Sequence, residues 1–168
     1  MMMEVRNLFF NHSDVSRRPI AYWRDDKLRQ LSKPLVAQVA VCSASFYDQR
    51  QLLQDVLNAL VDTVTDDTLL KSINLDILMH TRSEDAKLRA YALGCSEMMW
   101  QHHGGKLIGT SDFVPGALGR KLKCKIGFVA ETATFIAECN EDENDAVIRQ
   151  SLKLKSTVES IAGSIRDL

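Results

Sequence analysis

Asp85-Ala86-Lys87-Leu88-Arg89 and Asp145-Ala146-Val147-Ile148-Arg149 spell one short pattern twice: an acid, a small residue, any residue, an aliphatic and an arginine. Each copy opens a helix-like stretch, so the repeated pattern implies a repeated structural unit. The copies stand 60 positions apart, too far for one two-helix unit unless something has been inserted between them. Composition marks the insert. Thr110 to Ile126 reads TSDFVPGALGRKLKCKI and crowds Pro115, Gly116, Gly119 and four cations into 17 residues, a span rich in breakers that reads as loop.

With those 17 residues set aside the copies are 43 apart, inside the roughly 40 to 47 residues of a HEAT or armadillo unit, in which antiparallel helices stack on their neighbours. The copies are imperfect, because the apolar stripe starts at Leu88 in the first and at Val147, one position earlier, in the second. Consecutive amphipathic stretches fill the chain from Trp23 onward, and none shows two-residue alternation. The fold class read from this is all-α, an α-solenoid of HEAT-like antiparallel helix pairs, with a helical domain over 22–168 interrupted by an inserted loop at 110–126.

Individual helices are legible by their stripes. Leu31, Leu35, Val39, Cys42 and Phe46 recur at steps of three or four, with Pro34 tolerable only close to a helix start. Asp48 with Gln51 resembles a capping box ahead of the clean stripe Leu53, Val56, Leu57, Leu60, Val61 and Val64. Thr65-Asp66-Asp67 suits the positive end of the next helix, which carries Leu70, Ile73 and Ile77 and ends near Met79. The helix after it is capped by Thr81 (with Glu84) or by Ser83, and it ends at His102-His103-Gly104, where the glycine takes a left-handed conformation. Phe128, Thr132, Phe135, Ile136 and Cys139 share one face, the acidic run Glu141 to Asp145 turns the chain, and Val147, Ser151, Leu154, Val158, Ile161 and Ile165 form the last stripe.

At 168 residues the chain is long enough to bury roughly 70% of the surface its unfolded form exposes. Twenty-one Lys and Arg against 22 Asp and Glu leave a net charge of −1, so the whole molecule has no field that gathers polyanions, and any nucleic-acid contact has to be local. The four cysteines, Cys42, Cys95, Cys124 and Cys139, have no paired spacing and read as reduced thiols of a reducing compartment. Residues 1–21 have neither an apolar signal core nor a helical pattern and read as a poorly ordered leader. No stretch approaches the roughly 20 apolar residues of a membrane span.

Chemistry-bearing constellations are sparse. Asp85 with Arg89, and Asp145 with Arg149, are either solvated helix starts worth about 0.2 to 0.5 kcal/mol as i,i+4 pairs or arginines that reach an acid of a neighbouring repeat and form a ladder along the stack. Arg120, Lys121, Lys123 and Lys125 are either a solvated loop or a weak contact for RNA phosphates or protein. Gly104-Gly105-Lys106 lacks the spacing of a phosphate loop. His102 and His103 diverge by about 100° around their helix, and no Cys-x-x-Cys accompanies them, so no metal is expected. Cys95 and His102 are about 10 Å apart by helical rise, which does not make a nucleophile and base. Trp100, Met98 and Met99 read as packing. No cofactor and no catalysis are expected.

Leu78 to Arg89 (LMHTRSEDAKLR), Gly104-Gly105-Lys106-Leu107, Glu131 to Glu138 (ETATFIAE) and the acidic turn leading to Leu168 together resemble the C-terminal HEAT region of the U3 small nucleolar RNA-associated protein 10 family, called HEAT-repeat-containing protein 1 in animals. The likeness covers about Trp23 to Leu168 without the insert. It implies a non-enzymatic scaffold of the nucleolar small-subunit processome, in the nucleus, acting in pre-ribosomal RNA processing, small-subunit biogenesis and linked transcription by RNA polymerase I. Its implied partners are other processome proteins, U3 small nucleolar RNA and pre-ribosomal RNA, with no catalytic residue to carry over. On that likeness the chain corresponds to the terminal part of a longer solenoid, and 110–126, which interrupts a continuous family stretch, reads as a retained in-frame intron. The alternative is a stand-alone helical adaptor that binds a protein partner in a groove.

Overall fold

The computed structural model describes residues 25–108 and 127–166. The leader over 1–21, the insert over 110–126 with Arg120, Lys121, Lys123, Lys125 and Cys124, and the side chains of Phe128 and Ile165 lie outside the described residues. Among those described there is no strand. The elements in chain order are α1 (Asp25–Cys42), α2 (Tyr47–Thr63), α3 (Asp67–Met79), a 3₁₀ turn (His80–Arg82), α4 (Ala86–Ile108), α5 (Gly127–Asn140) and α6 (Asp145–Arg166).

The stripes fall where the periodicity puts them. Leu53, Val56, Leu57, Leu60 and Val61 of α2 and its C-cap residue Val64 are buried, as are Leu70, Ile73 and Ile77 of α3. Thr132, Phe135, Ile136 and Cys139 of α5 and Val147, Ser151, Leu154 and Val158 of α6 are buried too. Burying each such aliphatic side chain contributes about 1.5 to 3 kcal/mol, so α2 alone brings a large share of the apolar driving force.

Several helix ends differ from expectation, each for a local reason. Pro34 stands deep inside α1 rather than near its start. Pro34 and Gln30 are both exposed, so the carbonyl that loses its N–H partner faces water, and the proline is tolerated there. Phe46 is not part of the α1 stripe; it is the N-cap residue of α2, 85% exposed, and makes no side-chain cap bond. Asp48 consequently sits in the first turn of α2 and does not cap it.

Asp66 caps α3, its Oδ1 accepting the Thr68 N–H at 2.9 Å. Neither Thr81 nor Ser83 caps α4. Thr81 donates its hydroxyl back to the Leu78 carbonyl at 2.7 Å, while the Asp85 carboxylate accepts the Lys87 N–H at 2.9 Å and is the cap. The regular run of α4 breaks at His103 (φ −132°, ψ 21°), where its end is expected, but Gly104 is not left-handed and a further helical segment continues to Ile108. A Cβ on Gly104 would lie 2.6 Å from Ile161 Cδ1, so the glycine serves close approach of α4 to α6.

The helices form three consecutive pairs: α1 with α2, α3 with α4, and α5 with α6. The middle pair packs against both others, α3 touching α1 and α5, and α4 touching α2 and α6. Cross-links at increasing height give the directions. Asn74 meets Thr132 (3.2 Å) and Arg82 meets Glu138, so α3 and α5 run the same way. Tyr91 meets the Arg50 carbonyl (3.0 Å) and Gln54 faces Cys95, so α2 and α4 are parallel. Thr157 bonds Glu97 at 3.3 Å, and Ile161 packs on Gly104, which aligns α6 with α4. Short turns force each pair to be antiparallel.

Candidate interaction surfaces

The turn between α3 and α4 is tied to the turn between α5 and α6 by two forked ion pairs. Arg82 grips Glu138 through Nε (2.9 Å) and Nη2 (2.7 Å), with its guanidinium carbon 4.7 Å from the centre of the Phe135 ring. Arg89 grips Asp142 through Nε (2.7 Å) and Nη2 (2.8 Å), and its Nη1 donates to the Ser83 (3.0 Å) and Glu84 (2.9 Å) carbonyls. The Arg89 and Asp142 side chains are 16% and 11% exposed, against 49% and 44% for Arg82 and Glu138. Bonds from Arg89, and then the Asn144 N–H, hold the Asp142 carboxyl below its usual range. Arg82 does the same for Glu138.

The two Asp-to-Arg patterns are not equivalent positions of this architecture. Asp85 caps α4 from outside the helix, and Arg89 leaves it for Asp142, a ladder-like reach to the next pair. In the second copy Asn144 is the cap, its Oδ1 accepting the Ala146 N–H at 2.9 Å, and Asp145 is already helical. Arg149 is exposed and makes no ion pair with a described residue. Aligning the helices by their caps, Phe46, Asp85 and Asn144, superposes Val56 with Cys95 and Leu154, and Leu60 with Met99 and Val158, all buried. That register places Leu88 opposite Val147 and accounts for the one-residue mismatch of the stripes. Arg82, Glu138 and Asp142, which sequence reasoning passed over, are set by separations of more than fifty residues, beyond the reach of local spacing.

The N-terminal turns of α2, α4 and α6 line a groove of about 520 Å³ in which Arg50, Gln54, Lys87, Tyr91, Asn144 and Gln150 alternate with alanines and Gly94. Tyr91 is half-buried; burial chiefly, with Cys95 next, drives its phenol far above the ordinary range. Burial pushes the Cys95 thiol up to about 12 and raises Cys42 and Cys139 as well. These three cysteines are free, buried and protonated at neutral pH, hence weak nucleophiles and inert packing groups.

A second groove, of about 510 Å³, runs between α5 and α6 on the side away from the middle pair. Its surface is mainly Ala133, Ile136, Ala137, Val158, Ala162 and Gly163, with Lys155 and Glu159 on the rim. His102 and His103 lie with ring centres 6.3 Å apart and planes tilted by 50°. Among the described residues no three His, Cys, Asp or Glu side chains converge as metal ligands would, and no helix is long and apolar enough to cross a membrane. No protein-family model matches the chain, and no solved structure matches it.

Proposed function

We propose that this chain is a non-enzymatic scaffold whose three helix pairs are HEAT-like repeats of an α-solenoid, and that it works as the terminal portion of a nucleolar small-subunit processome protein. One observation carries the architectural half. Successive pairs repeat the same arrangement, with the caps of α2, α4 and α6 separated by 39 and 59 residues, the latter becoming 42 without the 17 of the insert. These spacings are those of a two-helix repeat, and the contacts join neighbouring pairs as in a one-dimensional stack.

Support for the processome reading is the resemblance of the Leu78 to Arg89 and Glu131 to Glu138 strings to the U3 small nucleolar RNA-associated protein 10 family. Those strings hold Arg82, Arg89 and Glu138, the residues that lock the second pair to the third. A scaffold of this kind presents surface to pre-ribosomal RNA and its protein partners, and needs no acid, base or nucleophile. The test is cellular. A tagged chain should concentrate in nucleoli and bring down U3 small nucleolar RNA with unprocessed pre-ribosomal RNA; exclusion from nucleoli together with an empty pulldown rejects the assignment.

A second reading, an adaptor without ribosomal ties, is favoured by the mixed polar and apolar groove across α2, α4 and α6. Its amides and the Arg50 and Lys87 cations suit the backbone of an extended peptide. Proximity labelling with the tagged chain separates the two. Processome proteins among the labelled set support the first reading, and a discrete set of cytoplasmic partners supports the second.

A further inference from the structure

We infer that the outer groove between α5 and α6 is the contact face of a homodimer, occupied by the same face of a second copy. The rim and walls of this groove carry small side chains. Ala130, Ala133 and Ala137 are exposed along α5 at steps of three and four, and Ala162 and Gly163 edge the valley from α6. Small residues let a facing helix come close, and buried Ile136 and Val158 give the valley an apolar floor.

The flank of α6 supplies what enters such a valley and what orients it. Leu152 is 50% exposed and lies on the same helix face as Lys155 and Glu159, by the three-and-four spacing. Lys155 and Glu159 are 49% and 66% exposed and only loosely paired within the chain, at 3.9 Å. One cation and one carboxylate a helical turn apart beside an apolar valley are self-complementary. Turned about a twofold axis, each lysine meets the other copy's glutamate, the isologous arrangement of most dimers. A partner of strong single-sign charge finds no match on this rim. The inference concerns the surface alone and does not depend on the nucleolar assignment.

Sedimentation of the full chain over a concentration series at low salt tests it. The expected result is a reversible monomer–dimer equilibrium that Ala137→Arg abolishes without changing the helical circular dichroism, because Ala137 is exposed in the monomer. Lys155→Glu is expected to weaken dimerisation about tenfold, since both surface pairs across the twofold become like-charged. Adding Glu159→Lys to it should restore the affinity. Phe46→Ser, at the exposed Val41-Phe46-Tyr47 turn of the first pair, should leave it unchanged. A chain that stays monomeric at 100-micromolar concentrations (about that order suffices for weak interfaces) overturns the inference. So does a dimer that survives Ala137→Arg, one that Phe46→Ser dissolves, or one that the double charge reversal fails to rescue.

Discussion

Single side chains decide how the pairs are joined, and Arg89 is the clearest case. Its fork satisfies Asp142 in a half-dry site while its third donor group holds two carbonyls of the preceding turn. Arg89→Ala should cost about 2 kcal/mol in urea melts, the size of charge-assisted bonds lost from a poorly hydrated carboxylate. Arg82→Ala, half-exposed, should cost clearly less than Arg89→Ala, and Arg149→Ala should stay within about 0.5 kcal/mol. The pH dependence follows from the direction of the Asp142 shift. Its folded pKa is depressed, so the contribution is fully present above the unfolded carboxyl value of about 3.9 and is lost as pH falls through the folded one. Melts of wild type should therefore weaken more steeply below about pH 4 than those of Arg89→Ala; parallel acid limbs would show that the pair carries no linkage. Gly104 makes a different local demand. Gly104→Ala puts a Cβ 2.6 Å from Ile161 and should destabilise by about 1 to 3 kcal/mol, whereas in an Ile161→Ala background the same change should cost much less. Additive effects in that double-mutant cycle would mean the two helices do not meet at this point.

At the scale of elements, the stripe of α2 and the Asp66 start of α3 were legible because a helix brings residues three and four apart onto one face and leaves its first amides seeking an acceptor. Local spacing puts the cap of α4 two or four residues too early and that of α2 two residues too late, since hydroxyls and carboxylates crowd every turn and only the backbone path selects among them. The α1 helix shows what sequence rules miss. They forbid an interior proline, yet Pro34 is accommodated on a wet face. Pro34→Ala should restore the bond to the Gln30 carbonyl and raise the melting temperature, by no more than the roughly 3 kcal/mol helix penalty of proline allows. An unchanged or lower melting temperature would indicate that the Pro34 ring itself contributes to the packing of α1.

For the whole molecule, the middle pair is the one clasped from both sides. Buried Asn74 links it internally to Ser96 (3.4 Å) and outward to Thr132 of the third pair (3.2 Å), a polar relay across α4, α3 and α5 that fixes how the helices slide. Amide hydrogen exchange should accordingly be slowest in α3 and α4, with α1 and the end of α6 opening first; uniform protection from α1 to α6 would point to one undivided cooperative unit. The sequence by itself determined the helical class, the apolar faces and the existence of turns, because those depend on residues within a few positions of one another. Only the three-dimensional structure decided that Asn144 and not Asp145 is the counterpart of Asp85, a choice the local backbone path makes among crowded acceptors, and only tertiary contact decided which corner is bound to which and that Gly104 is the point where α6 approaches α4. These last two rest on atoms brought together from more than fifty residues apart, where the free energy lies in the pairing of surfaces and leaves no period in the chain to read.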